Sequence, residues 1–470
     1  MTDMLHMPDR TESRALAGHV SAADPLSPRA AFGGLPAIIR PFIRYLPEDP
    51  WELDTRALPR PLAAYRRKLR AFAELHLRPV ALDIDAAPHP ELGTSHAAAH
   101  AVLVAAGRAG LLADMLPAPL GAADPRLFRY PLQMAASLKT EELAAIDGGL
   151  MLLVCVHSLG VAPVLLSGDA GMIRRVLLPA FRAGLEGRPQ VLAFAITEPS
   201  AGSDVEDGHG ARAQRPGVIA QRVPSGYVLR GRKCFISGGD IACNVVVFAA
   251  LEGEGIESWT AFVVDVRAAG FRVARTEHKL GMRASGAAEL DLDGVFVPDE
   301  RVLLGPRKGW ALNRATLNLS RLPVAAMGVG FARSATDVAI EFACSQALGG
   351  KPLIAYQDVQ LMIADMVAET AAARAMVWSA ARRQQPVQRE ASAAKFFCSD
   401  VGLRVCTRAM DLLGNHALLH GSRVEKAWRD ARLTQIFEGT NQINRLAVVE
   451  DLQEHLLATI ARLQPPEAVS

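Results

Sequence analysis

The sequence predicts an α+β chain laid out in blocks: an N-terminal all-α domain, a central antiparallel β-domain and a C-terminal four-helix bundle. Three observations carry this. Apolar residues recur at helical spacing from Pro61 to about residue 190, the period turns strand-like at Val191, and the helical period returns after Gly309 and holds to Leu463. Strands and helices that do not alternate argue against a doubly wound nucleotide-binding sheet. These changes divide the chain into an extension over residues 1–60, then 61–190, 191–308 and 309–465.

Residues 1 to about 55 are rich in Pro, Gly, Ala and Arg without sustained periodicity, so a poorly ordered or surface-draped extension is expected. From Pro61, Leu62, Tyr65, Leu69, Phe72, Ala73, Leu75 and Leu77 share one helical face; Ala97–Leu112 and Pro131–Ala145 repeat the pattern. The stretch from Gly148 to Gly168 carries no charge and is long enough to span a bilayer. It also holds His157, Ser158, Pro163 and four glycines between Asp147 and Asp169, which fits a pair of buried helices better than a membrane span. Glu141–Glu142 reads as a solvated or capping pair at a helix start.

In the middle block, Val191–Ile196, Tyr227–Arg230, Asn244–Ala250, Thr260–Val266, Phe271–Ala274 and Glu289–Val297 are short, β-rich and separated by turn residues. They predict an antiparallel sheet or barrel of roughly six to eight strands. Beyond it, Leu312–Leu348, Tyr356–Arg383, Ala391–Leu413 and Gln442–Leu463 are amphipathic segments whose lengths predict the bundle.

Composition excludes some functions. Lys and Arg number 51 against 49 Asp and Glu, a formal charge of +2, which supplies no electrostatic case for nucleic acid. Six cysteines with no C-x-x-C pair fit reduced, buried thiols of a cytoplasmic protein. The first residues carry Asp3, Asp9, Arg10, Glu12 and Arg14 and no apolar run, so no secretory signal is expected. His157, His416 and His420 lack partners at metal spacing, and no metal site is expected. The string Gly208–Ala213 matches G-x-G-x-x-A but follows an acidic run rather than a strand, which makes it a loop.

Three stretches could carry chemistry. Ile196–Asp204, I-T-E-P-S-A-G-S-D, offers hydroxyl and backbone donors with little bulk, a cradle for a polar ring or phosphate. Lys233–Gly239 combines an aromatic, a hydroxyl and two glycines in a second loop suited to a flat heterocycle. In Leu433–Asn444, Gly439 breaks a helix and Thr440 or Asn441 can cap the next, so Glu438 sits on a corner between helices. Flanked by Ile436 and Phe437, that carboxylate is in a setting where its pKa can rise for proton abstraction.

Taken together, A-I-T-E-P-S-A-G-S-D (195–204), R-D-A-R-L-T-Q-I-F-E-G-T-N-Q-I (429–443), H-S-L-G-V-A-P (157–163), L-G-M-R-A-S (280–285) and V-F-V-P (295–298) resemble the acyl-CoA dehydrogenase family from about Pro61 onward. The resemblance implies FAD as cofactor and an acyl-CoA as substrate. Glu438 would remove the α-proton while the β-hydride leaves for the flavin, giving the trans-2-enoyl-CoA. An oxyanion arrangement that includes the Glu438 N–H would stabilise the enolate. Some relatives place the base on an earlier helix; that position matches Ser320, which cannot serve. By the same matching, Phe194, Ile196, Thr197, Phe235 and Ser237 line the isoalloxazine, and Gln357, Gly414, Thr440 and Gln442 take flavin-contacting positions. Phe235 and Ser237 stand where the family usually has Trp and Thr. Ser203, Asn318 and Arg321 match positions that meet the CoA, with Gly439 beside the substrate; Arg321 is alternatively a structural ion pair. The implied partners are an electron-transferring flavoprotein and further copies of the chain, as a homodimer or homotetramer.

Two departures stand out. Gln346 and its neighbours replace the family's R-x-x-F-G, whose Arg grips the FAD pyrophosphate across a dimer interface, and Asp411 stands where the family has Gln. A lost charge-assisted bond costs about 1.5–3 kcal/mol, or roughly ten- to a hundredfold in affinity. They support one rival reading, an accessory subunit of a hetero-oligomeric dehydrogenase that binds acyl-CoA but holds FAD poorly. The other rival, a flavin monooxygenase on the same fold, has no use for an α-proton base at Glu438.

Overall fold

The computed structural model describes residues 49–89, 97–206 and 216–463, with positions 36 and 38. The expectations for most of the N-terminal stretch and for the Gly208–Ala213 loop lie outside the described residues. The helices begin earlier than periodicity suggested. In α1, Pro50–Ala57, Asp49 accepts the Trp51 N–H and Pro50 occupies the first turn, a start signal too short to show a period. Trp51 is buried, its indole N–H donates to Asp337 at 2.7 Å, and the Arg374 guanidinium lies 4.7 Å from its ring. The chain is therefore anchored from residue 50, inside the stretch expected to be an extension.

The first block continues with α2 (Arg60–Phe72), α3 (Ala81–Ala86), α4 (Ala97–Arg108), α5 (Leu132–Ala144), α6 (Gly148–Leu166) and α7 (Leu178–Leu185). The uncharged stretch forms one 19-residue helix, not a pair: Asp147 caps Leu150 N–H at 2.7 Å, and Pro163, near the far end, removes a single backbone donor without breaking it. It is long and apolar enough to cross a membrane, yet 72% of its apolar window is buried inside the protein. A Cβ at Gly160 would meet the Leu192 backbone at 2.5 Å, so glycine there lets α6 lie directly on the sheet.

Glu141 and Glu142 are neither solvated nor at a helix start. They lie in the last turn of α5 and are fully buried. Arg66 reaches both, at 2.6 and 2.5 Å, Arg70 and Arg333 bind Glu142, and Arg374 binds Glu141. The arginines come from α2 and two bundle helices, so one carboxylate pair ties the first helical block to the bundle.

The sheet contains eight strands: β1 (Val191–Ala195), β2 (Ile219–Val223), β3 (Gly226–Ser237), β4 (Ala242–Leu251), β5 (Thr260–Asp265), β6 (Phe271–Thr276), β7 (Ala287–Pro298) and β8 (Val302–Leu303). Their order is β6-β7-β3-β2-β4-β5-β8, with β1 beside β4. Antiparallel pairing dominates, but β1 and β2 each run parallel to β4; β2 does so because antiparallel β3 lies between them in the chain, which reverses direction twice. Strand β2 escaped the sequence reading, since polar Gln221 and Arg222 mask its alternation.

The bundle is built from α8 (Gly309–Ser345), α9 (Gln357–Ala381), α10 (Gln388–Leu413) and α11 (Arg423–Thr434), followed by α12 (Asn441–Glu450) and α13 (Gln453–Leu463). Gly328 and Gly402 bring α8 and α10 close enough that a Cβ on Gly402 would meet Gly328 backbone at 2.8 Å. The fourth member is α11, which packs on α8 and α10. The segment expected in that place, Gln442–Leu463, breaks at Asp451–Leu452, and its first half packs on α10.

Candidate active site

Helix α11 ends at Thr434, and the chain turns through residues 435–440 before Thr440 caps α12 by accepting from Ile443 N–H. Glu438 is held at φ +56° and Gly439 at +79°. A glutamate in the left-handed region is strained, and such strain gathers at functional sites. Surrounding bonds impose it. Lys395, buried on α10, donates to the Gly439 carbonyl at 2.6 Å and to Asn441 Oδ1 at 3.0 Å. Asn444 donates to the same carbonyl at 2.9 Å, and Ser203 Oγ accepts the Thr440 N–H at 3.0 Å. A Cβ at Gly439 would stand 2.7 Å from Glu206 Oε2, so no larger residue fits without moving that carboxylate.

The Glu438 carboxylate is half-buried, and Oε2 accepts from the Ser320 hydroxyl on α8. Burial pushes its pKa up to about 7; the Ser320 bond and the charges of Arg321 and Lys395 oppose that rise, whereas Glu206 adds to it. Burial likewise pulls Lys395 down to about 7. The Glu438 N–H, outside any helix, donates to no acceptor among the described residues.

Glu438 opens onto a cavity of about 790 Å³ bounded by α5, α6, α8, β1, the 196–206 loop and the corner itself. Phe194, Ile196, Thr197, Ser203, Phe235, Ser237, Gly439 and Thr440 all line it. Phe235 belongs to a strand, not the expected loop: β3 shifts register between Lys233 and Ile236, and φ +56° at Phe235 swings its ring outward to 60% exposure. The cavity thus places an uncovered aromatic beside two hydroxyls, Thr197 and Ser237, that have no partner among the described residues.

Among known proteins, the description "Acyl-CoA dehydrogenase, middle domain" matches residues 193–295 and "Acyl-CoA dehydrogenase, C-terminal domain" matches residues 307–453. The chain is 32% identical over 401 residues to a probable acyl-CoA dehydrogenase, FadE25, of Mycobacterium tuberculosis, covering 84% of this chain and 96% of that one. The chain belongs to the acyl-CoA dehydrogenase family. Its other relatives include subunit CarC of the caffeyl-CoA reductase–Etf complex of Acetobacterium woodii, 30% identical, over 82% of this chain and 96% of CarC. Among solved structures, butyryl-CoA dehydrogenase of Megasphaera elsdenii superposes with a TM-score of 0.75 at 27% identity, covering 84% of this chain and 99% of that one.

Acyl-CoA dehydrogenases are FAD-dependent oxidoreductases, and the cavity suits a flavin ring: the exposed Phe235 face would pack on it and the free Thr197 and Ser237 hydroxyls could donate to it. Other residues matched to the family stand elsewhere. Gln346, Gln357, Asp411 and Gly414 are exposed and outside the cavity, as is Gln442. Gln346 and Gly414 lie at one end of the bundle, where the Phe342 and His416 rings are 5.2 Å apart. Asn318 and Arg321 do not line the cavity. Arg321 is buried, bound to Glu206 at 2.9 Å and Ser392 at 3.0 Å, the structural ion-pair alternative. Asn318 gives its carbonyl to Gln133 at 3.2 Å.

Sequence reasoning missed Lys395, Glu206 and the use of Ser320. A lysine inside the apolar run Ala393–Phe397 was the visible signal for the first, because a lysine on a buried helix face needs a specific partner. His157, buried on α6, accepts Leu192 N–H through Nδ1 at 3.0 Å and is pulled down to about 3 by burial, a neutral interior histidine. The motif residue Arg429 binds Asp85 and the Leu280 carbonyl. Its neighbour Asp430 accepts from Gly148 N–H, Met282 N–H and Lys426. Among the described residues no cluster of His, Cys, Asp or Glu could hold a metal ion. Of the cysteines, Cys344 is exposed rather than buried, and all six are free thiols.

Proposed function

We propose that this acyl-CoA dehydrogenase oxidises an acyl-CoA to the trans-2-enoyl-CoA with Glu438 as the base. The observation that carries this is a carboxylate held on a strained corner, pushed up to about 7 by burial and opening onto a largely apolar cavity beside the Phe235 ring. Ionised Glu438 takes the proton from the carbon next to the thioester carbonyl. Ser320, donating to Oε2, fixes the carboxylate and leaves the other oxygen to receive that proton. The unpartnered Glu438 N–H is available to the developing enolate oxygen. When bound, the flavin supplies the acceptor for the β-hydride. Phe194, Ile196, Thr197, Phe235 and Ser237 would hold its ring, and Gln346, Gln357, Asp411, Gly414, Thr440 and Gln442 the remainder of FAD. Because Gln346, Asp411 and Gly414 face outward, that remainder would lie between copies of the chain in a homodimer or homotetramer. Ser203 and Gly439 flank the thioester, and an electron-transferring flavoprotein, the kind of partner in CarC's complex, would collect the electrons.

Anaerobic titration of the holoenzyme with acyl-CoAs tests this. The flavin band should bleach with the wild type, and Glu438→Gln should slow bleaching by about 10²–10⁴-fold while acyl-CoA still binds. Undiminished bleaching in Glu438→Gln would remove the glutamate from the mechanism, and a protein that takes up no flavin would favour the accessory-subunit reading.

A further inference from the structure

The cavity is not apolar throughout. On the side built by the N-terminal helices, Tyr65 of α2, Asp114 beyond α4, Lys139 of α5 and Ser158 of α6 converge on it. Lys139 is buried and donates to both Asp114 oxygens at 2.9 and 2.8 Å and to the Leu111 carbonyl at 3.3 Å. The Tyr65 hydroxyl donates to Asp114 Oδ2 at 3.0 Å. Four separate segments therefore supply one polar cluster, while the neighbouring wall is Leu127, Leu152, Leu159, Leu317 and Val324.

Placing an ammonium and a carboxylate in such a wall is unfavourable unless something uses them, since a well-packed apolar pair serves stability as well or better. What the cluster leaves unused is informative. The ammonium's three donors are taken by Asp114 and Leu111, with Ser158 Oγ at a long 3.5 Å. The Ser158 O–H has no acceptor among the described residues, and the Tyr65 oxygen has accepting capacity left. Lys139 and Asp114 cancel, so the cluster offers no net charge to an ionised group, and a carboxylate reaching it would meet Asp114 as well as Lys139. A methyl terminus would cover these groups and satisfy none. A hydroxyl can accept from Ser158 and donate to Tyr65, a carbonyl can accept from Ser158, and neither needs a counter-charge.

We propose that Tyr65, Asp114, Lys139 and Ser158 form a specificity subsite that selects acyl-CoAs whose chain carries an uncharged oxygen function, a hydroxyl or a carbonyl, distant from the thioester. This deepens the dehydrogenase reading and rests on it. The leucine wall carries the aliphatic part of the chain, and the cluster marks where that part ends.

The test measures kcat/KM for series of acyl-CoAs of rising chain length ending in methyl, hydroxyl or carboxyl, using the FAD-loaded enzyme. At the length that reaches the cluster, the hydroxyl-ended substrate should exceed its methyl-ended counterpart by about tenfold or more, because a site built for hydrogen bonds rejects analogues lacking them. The difference should reside mainly in KM. Ser158→Ala and Tyr65→Phe, which delete one oxygen each and leave the Lys139–Asp114 pair in place, should bring that ratio toward one. A wild-type ratio of one or less at every length overturns the subsite, as does a preference for carboxyl over hydroxyl or a ratio both variants leave unchanged. If methyl-ended substrates bleach the flavin with no preference, only the subsite fails; if no acyl-CoA bleaches it, the dehydrogenase reading fails first.

Discussion

Glu142 and Glu438 are both carboxylates withdrawn from water, one fully and one partly, and their surroundings push them in opposite directions. Glu142 on α5 is surrounded by Arg66, Arg70 and Arg333, and despite burial their charges hold its carboxyl well below the usual range. Glu438 has one hydroxyl and an open cavity, and burial raises it to about 7. A carboxylate fully spoken for by guanidinium groups is a permanent anion and serves as a cross-link. One given a single neutral donor can exchange a proton near neutral pH, which a base must do. Burial alone does not distinguish structure from chemistry; the partners do.

The stability consequences also differ in sign. Glu142, with its folded pKa lowered, contributes stability that is present above the ordinary carboxylate range and lost as pH falls through that range and below. Glu438, with its folded pKa raised, favours the fold below its unfolded pKa, and that contribution disappears as pH rises through about 7.

The largest test of this contrast is Glu142→Gln, which removes the charge that Arg66, Arg70 and Arg333 share and leaves buried Arg333 with Glu141 at 3.8 Å. We expect a loss of about 3–5 kcal/mol, read by urea unfolding at pH 7. Glu438→Gln at pH 8 should leave the Tm unchanged or higher, since it removes an ionised group that burial penalises; a fall as large as that of Glu142→Gln would erase the distinction. Next comes Lys395→Met. Without that nearby cation Glu438 should titrate higher, so the pH at which kcat/KM reaches half its plateau should move up from about 7. Each full pH step of that midpoint should lower activity at pH 7 by up to about tenfold. Rescue by Lys395→Arg would show that charge and the bond to the Gly439 carbonyl are what matter. Ser320→Ala should give the smallest effect, a midpoint raised by less than about 1 on the pH scale with kcat above pH 8 nearly retained. A lowered midpoint in either variant would contradict the assigned electrostatics.

Why the sequence disclosed one of these sites and hid the other follows from where the partners lie. The corner at 433–444 is local: a helix end, Gly439, a capping Thr440 and the next helix are adjacent in the chain, so backbone rules place Glu438 without knowledge of the rest. The block order was legible for the same reason, since periodicity is a local property. Glu141 and Glu142 meet arginines at positions 66, 70, 333 and 374, and nothing near residue 141 announces them. Ser320 and Lys395 were invisible as neighbours of Glu438 for that reason too. Strand β2 and helix α1 were missed because five and eight residues with polar members give no readable period, and the Phe235 bulge because one positive φ inside a strand leaves little trace in residue type.

Asp430 has a consequence beyond its own bonds. One carboxylate receives the first turn of α6, the backbone at Met282 and Lys426 on the helix that delivers Glu438. The wall that sizes the ligand chamber and the arm that carries the proton acceptor are thus riveted together here, with Asp147 at the cap of α6 adding a second tie to Lys426. Neither can drift without dragging the other, so a new substrate range in this scaffold would have to come from exchanging lining side chains while the frame stays put.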